Sequence, residues 1–241
     1  MLSADLRGRR ALVTVAASGI GLGTAELFAR SGTAVALNDL PGNPRLDDEV
    51  ARLVGDGLDV FAAPGDVGDP DGARAMVGTT AEAMGGLDYL VNNAGMAGTK
   101  TAIAPDDFET MSEDFWARLL AVNLVGPFRC THAAASYLRA TGGAVVNVVS
   151  SGAYVGGGSS PVYCASKAGL VILLARGLAP DVRVNAVAPN AVNSDWVCGW
   201  SEEDNLENIA TTPLGRAASR PIMPKSSCSS APARPTLSAR Q

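Results

Sequence analysis

The chain has 241 residues, 47% apolar and 18% charged, so it can bury a core and is not globally disordered. Its formal net charge of -5 argues against a general nucleic-acid binder. A single histidine, His132, and four cysteines without a C-x-x-C pair exclude a structural zinc site, and they exclude a Ser-His-Asp hydrolase unless His132 is its base.

Short β-rich runs alternate with longer helical stretches. Residues 11–15, 34–37, 60–63, 89–91, 144–149 and 182–187 are predicted strands, rich in Val and flanked by Gly, Asp or Asn. Residues 21–30, 46–53, 70–84, 113–138 and 162–178 are predicted helices, and Ser112-Glu113-Asp114 is a strong helix start. Repeated βα units with near-continuous apolar strands predict a doubly wound parallel sheet, a Rossmann-type three-layer α/β/α fold. Its ligand is expected at the carboxyl ends of the strands. Residues 1–219 read as a single domain. Residues 220–241 hold four Pro, five Ser, four basic residues and no acid, which predicts a disordered tail rather than its alternative, a partner-binding basic tail. No apolar run approaches the ~20 residues of a membrane span. Arg7, Arg9 and Arg10 before the apolar run 11–17 loosely imitate a secretory signal. That run is too short and meets a glycine cluster, so a cytoplasmic protein is expected.

The first predicted strand runs into Ala16-Ala17-Ser18-Gly19-Ile20-Gly21-Leu22-Gly23, which opens a helix. Glycines there let a backbone approach a pyrophosphate, and the helix N-terminus supplies N–H donors. Alone this marks only a turn. Asp39 adds to it: it ends the second strand, 18 residues beyond Gly21. A carboxylate there binds the ribose hydroxyls of an adenosine and repels a 2′-phosphate, which predicts NAD over NADP. No basic residue lies in the glycine turn or directly after Asp39. Asp66-Val67, after the third strand, is either an adenine contact or a plain turn.

Tyr163 and Lys167 are four residues apart in a predicted helix and share one face. A phenol, with a pKa near ~10, is a poor acid or base at neutral pH, and a neighbouring ammonium lowers that value. The pair then suits general acid/base work on a ketone/alcohol couple. Upstream, Ser150-Ser151 end a strand, and one of the two hydroxyls is expected to reach the same oxygen as Tyr163.

Together with Asn92-Asn93-Ala94-Gly95, Val122-Asn123-Leu124 and Arg183-Val184-Asn185-Ala186-Val187-Ala188-Pro189, these motifs resemble the short-chain dehydrogenase/reductase family from about Leu6 to Arg216. The resemblance implies a nicotinamide-dependent oxidoreductase acting on a small alcohol or ketone. It implies a homodimer or homotetramer built on the two longest helices, with no membrane or nucleic-acid partner. Carried over by position, Tyr163 is the acid/base and Lys167 lowers its pKa and binds the nicotinamide ribose. Ser151 polarises the substrate oxygen, and Asn123 holds a water that relays protons to Lys167. The cofactor is expected on Ser18, Gly19, Ile20, Gly21, Asp39, Asp66, Val67, Asn93, Ala94, Gly95, Tyr163, Lys167, Pro189, Val192 and Ser194. No metal is implied.

Five departures bear on that reading. Thr14-Val15 stands where the family has Thr-Gly, and a β-branched residue fits a positive φ badly. Pro189-Asn190 replaces Pro-Gly. Pro180 arrives about one helical turn early. Ser151 is one residue closer to Tyr163 than usual, which keeps Ser150 open as the polarising serine. The family's last helix and strand give way to the Pro/Ser/Arg tail, as a change of reading frame would produce. A second reading follows: an impaired relative that serves as a binding or scaffold protein, or an unstable product. Trp196 and Trp200 in a lid over residues 193–209 suggest an apolar ligand, or else core or interface packing.

Overall fold

Six parallel strands form one sheet in the order β3-β2-β1-β4-β5-β6 in the computed structural model. It describes residues 5–156, 158–173, 175–192, 203, 206, 209–210, 212 and 215–218. The strands are β1 (Arg10–Val13), β2 (Ala34–Leu37), β3 (Val60–Ala62), β4 (Tyr89–Asn92), β5 (Ala144–Val148) and β6 (Arg183–Val187). The helices are α1 (Gly19–Arg30), α2 (Pro44–Gly55), α3 (Pro70–Ala83), α4 (Glu113–Leu120), α5 (Gly126–Thr141), α6 (Gly152–Val155), α7 (Pro161–Val171) and α8 (Ala175–Leu178). This is the three-layer Rossmann-type architecture expected of the sequence. The predicted tail 220–241, Ser194, and the tryptophans at 196 and 200 lie outside the described residues.

The strands sit where the apolar runs put them. Leu12, Val13, Val35, Leu37 and Leu90 are fully or almost fully buried, one set on each face of the sheet. Burying such side chains contributes about 1.5–3 kcal/mol each. Helices start where short polar side chains accept from orphan N–H groups. Ser112 accepts from Phe115 N and Asn43 from Arg45 N, with Pro44 preset in the first turn of α2. The direction of strand addition reverses between β1 and β4. The crevice above their carboxyl ends is therefore the switch point where such sheets take ligands.

Two predicted helices are not continuous. The stretch 113–138 divides into α4, a π-helical turn over Ala121–Val125 and α5. Pro127, which has no N–H to give to an α-helical ladder, sits just after the wide turn. Arg129 Nη1 donates to the carbonyl of Ala121 at 3.2 Å. The stretch 162–178 is broken into α7 and α8. By length and composition Pro161–Leu178 would also pass for a membrane span. In the fold it carries the buried Lys167 and packs Val162 and Leu170 inward.

Candidate active site

The loops after β1, β2, β3 and β4 meet at the switch point. Thr14 is fully buried and its hydroxyl accepts from Asn93 N at 3.0 Å and Ala94 N at 2.9 Å. Asn93 Nδ2 donates to the carbonyls of Thr14 and Val15, each at 3.0 Å. Gly19 takes a left-handed φ of 56°, and a Cβ on Gly21 would overlap the Val15 carbonyl. Only glycines give this tight entry into α1, which starts beside Ser18 and Ile20. The expected left-handed position at Val15 is real: φ is 49°. Its side chain packs against the core cluster that includes Val67 and Ala94.

Asp39 is 7% exposed at the end of β2. Its carboxylate accepts from Ala17 N at 3.3 Å and Leu40 N at 2.9 Å, so it faces the glycine turn. Asp66 bonds locally, accepting from Gly68 N at 2.7 Å, while Val67 is buried. Arg129 reaches from α5 to the carbonyls of Val67 and Gly68 at 3.2 and 2.8 Å. It thereby links this turn to the π-helical turn that carries Asn123.

The opposite end of the crevice is built from α7, β5 and that π-helical turn. Ser160 caps α7, its hydroxyl accepting from Tyr163 N at 3.0 Å, and this sets Tyr163 in the first turn with Lys167 one turn on. Lys167 is 3% exposed and its Nζ donates to the Val148 carbonyl at 3.0 Å. Asn123 is fully buried. Its amide accepts from Met96 N at 2.8 Å and donates to Met96 O at 3.0 Å and Ser166 Oγ at 3.2 Å. Gly95 lies between the two, where a Cβ would stand 3.2 Å from Lys167 Nζ and 3.6 Å from Asn123 Oδ1.

Two details bear on the sequence expectation, which named Ser151 and kept Ser150 open. The hydroxyl on Tyr163 is that of Ser150, with which it shares a hydrogen bond. Ser151 instead donates to Asn190 Oδ1 at 3.0 Å, and its N–H donates to the Pro189 carbonyl at 2.9 Å. Adjacent residues leaving a strand face different ways, and the turn into α6 gives Ser150 to the crevice. The second detail is electrostatic. Burial pushes the Tyr163 phenol above its ordinary value, and the Ser150 hydrogen bond pulls it back only in part. Burial also drives the Lys167 ammonium down to about 8. Lys167 Nζ stands 5.9 Å from the Tyr163 ring centroid and bonds Val148, so desolvation outweighs the expected lowering.

Val192 pairs with Ala218 in an isolated bridge beyond Pro189. His132 stacks on Phe128 at 5.9 Å between ring centroids, away from the Tyr163 cluster. Sequence reasoning missed Thr14, Asn38, Ser160 and Arg129. Asn38 had a signal, a polar residue ending a fully apolar strand. Arg129, a helix arginine among many, had none.

The profile of the enoyl-(acyl carrier protein) reductase family matches residues 15–222. The chain belongs to the short-chain dehydrogenase/reductase family. It is 37% identical over 216 residues to cis-4-hydroxycyclohexanecarboxylate dehydrogenase of Sinomonas cyclohexanicum, covering 87% of this chain and 84% of that relative. It is 34% identical over 213 residues to the 3-oxoacyl-(acyl-carrier-protein) reductase of Staphylococcus aureus, covering 86% of this chain and 84% of the relative. Among solved structures, a dehydrogenase/reductase from Sinorhizobium meliloti superposes with a TM-score of 0.80 at 30% identity, covering 90% of this chain and 84% of its own. A short-chain dehydrogenase from Burkholderia cenocepacia in complex with NADP gives 0.79 at 32%, covering 90% and 87%. As a short-chain dehydrogenase/reductase this chain is an oxidoreductase of the hydride-transfer kind, working with a nicotinamide cofactor. The residues present fit such a dinucleotide: a turn open only to glycine at Gly19 and Gly21, a carboxylate facing it, and a glycine over Lys167. The impaired-relative reading draws no support from these likenesses.

Proposed function

We propose that this chain is an NAD-preferring oxidoreductase that interconverts a secondary alcohol and a ketone, with Tyr163 as general acid/base. The observation that carries the reading is the buried cluster in which Tyr163 bonds Ser150 while Lys167 is held beneath Gly95. The glycine turn and Asp39 would hold the adenosine and pyrophosphate, and Asn93, Gly95, Lys167 and Pro189 the nicotinamide half. When bound, the nicotinamide supplies or takes up the hydride at the substrate carbon.

The chain's own groups manage the proton. In ketone reduction the Tyr163 hydroxyl gives its proton to the substrate oxygen as negative charge develops there. Ser150 donates a hydrogen bond to the same oxygen. A phenol with a raised pKa holds its proton until that oxygen becomes basic, which suits the acid role. Lys167, with its pKa near 8, is mostly protonated at pH 7, and its positive charge favours the phenolate left behind. The hydroxy-acid dehydrogenase and oxoacyl reductase among the relatives support an alcohol/ketone couple. Exposed Trp116, Val125 and Phe128 along α4, the π-helical turn and α5 support a homodimer or homotetramer, and a cytoplasmic setting belongs to the same proposal.

The experiment is titration with NADH and with NADPH, followed by nicotinamide fluorescence. Asp39 beside the turn should make NADH bind about 100-fold more tightly, a difference near 2.7 kcal/mol. Asp39→Ala should bring the ratio within about tenfold. Equal or tighter NADPH binding by the unmodified chain would sink the NAD preference.

A further inference from the structure

Val15 is the one non-glycine residue with a left-handed backbone among the described residues. Its β-branched side chain resists that region, so neighbouring groups must hold it there. Asn93 grips its carbonyl from β4. On the other side stands Asn38, 1% exposed at the end of β2. The Asn38 carbonyl accepts from Ala16 N at 2.7 Å, and its Oδ1 takes a longer bond from Val15 N at 3.4 Å. Its Nδ2 donates to the carbonyls of Ala63 and Gly65, each at 2.9 Å. One buried amide therefore joins the turn after β1 to the chain leaving β3. The next residue, Asp39, aims its carboxylate at Ala17 N.

We propose that Asn38 is a positioning residue for the dinucleotide: it holds Val15 in the left-handed state and keeps Asp39 in register with the glycine turn. This rests on the nicotinamide-cofactor reading above. Alanine at 38 would leave the Val15 N–H and the Ala63 and Gly65 carbonyls without that partner. The turn would then relax toward the extended backbone a valine prefers, carrying the Val15 carbonyl off Gly21. Glycine at 15 needs no such restraint.

The test is a double-mutant cycle of Asn38→Ala and Val15→Gly, read by NADH dissociation constant, KM against kcat, and melting temperature without cofactor. Asn38→Ala should weaken NADH about tenfold, roughly the net worth of one buried hydrogen bond, and should raise the cofactor KM rather than lower kcat. Adding Val15→Gly should recover most of that loss. Without cofactor, Val15→Gly should raise the melting temperature by about 2–4 °C more in the Asn38→Ala background than in the unmodified chain. Additive effects in the cycle, or an unchanged NADH constant in a folded Asn38→Ala protein, overturn the proposal. If Asn38→Ala does not fold, the pair Asn38→Ala/Val15→Gly is compared with Val15→Gly: near-equal NADH constants support it. A further tenfold loss there, or failure of the pair to fold, reduces Asn38 to a structural role and overturns it. If the unmodified chain binds neither NADH nor NADPH, the cofactor reading fails, and the thermal cycle still decides whether Asn38 holds Val15.

Discussion

The two ends of the sheet's switch point meet the chain's departures from its family in different ways. At Val15 the departure is local and densely supported: Asn38, Asn93 and Thr14, each just past the end of a different strand, bond the turn and its flanks. At β6 the support is thin. Among the described residues β6 pairs only with β5, and all five of its residues are at least partly exposed, whereas β1, β2 and β4 each bury three of four. A misfitting residue is tolerated where hydrogen bonds already converge. A thinly covered strand has no such reserve, because its stability depends on area removed from water. The catalytic cluster sits between these regimes: Lys167 hangs on β5, while Ser151 ties to the loop after β6.

The largest effect should come from the buried cluster itself. Tyr163→Phe keeps the ring and removes the hydroxyl proposed to move the proton. Turnover should fall about 1,000-fold, while the NADH dissociation constant changes less than about threefold. Substantial residual turnover on every ketone tried would show that Tyr163 is not the acid.

The serine pair sharpens the contrast between the crevice and the β6 side. Ser150→Ala should lower kcat about 100-fold by removing the donor beside Tyr163. Ser151→Ala loses a bond to the exposed Asn190 and should stay within about threefold. Steady-state kinetics on both variants decide it, and the reverse order would return the polarising role to Ser151.

Lys167 gives a pH test of burial. Its folded pKa of about 8 lies below the ordinary 10.5, so between these values the unfolded chain binds more protons than the native one. Stability should therefore rise with pH across about 8 to 10.5, as the cost of a buried ammonium is relieved. Lys167→Met removes the titration. The variant should be the more stable at pH 7, by about 2–4 kcal/mol, and the gap should close toward pH 10. Urea denaturation at several pH values measures this, and a gap independent of pH would mean Lys167 is not desolvated as described.

The architecture was readable because buried parallel strands must be short apolar runs between turn residues. All six strand positions followed from Val-rich segments. The helix interruptions were harder. Pro127 inside a predicted helix was a visible warning of the π-helical turn, but nothing in Ile172-Leu173-Leu174-Ala175 marks a break between α7 and α8. Tyr163, Lys167 and Asp39 stood out because their chemistry and spacing are rare together. Which serine faces the crevice was not legible, since it depends on how the chain turns after β5. Arg129 escaped for a similar reason: its partners Val67 and Gly68 lie about 60 residues away and use backbone atoms, which leave no trace in residue type.

The smallest expected effect lies at the β6 edge, and it tests the other side of the opening contrast. Val187 ends β6 and is 48% exposed, so its side chain contributes little burial to lose. A lysine there should change unfolding free energy by less than about 0.5 kcal/mol, since half-exposed surface sites seldom do more. A charged side chain on an edge strand opposes pairing with a second copy. Val187→Lys should therefore raise the concentration at which heated protein begins to scatter light, with the melting temperature almost unmoved. Val35→Lys, on a strand paired on both sides and fully buried, should abolish folding instead. If Val187→Lys also unfolded the chain, β6 would be as firmly covered as β2, and the two strands would not differ as the burial pattern says.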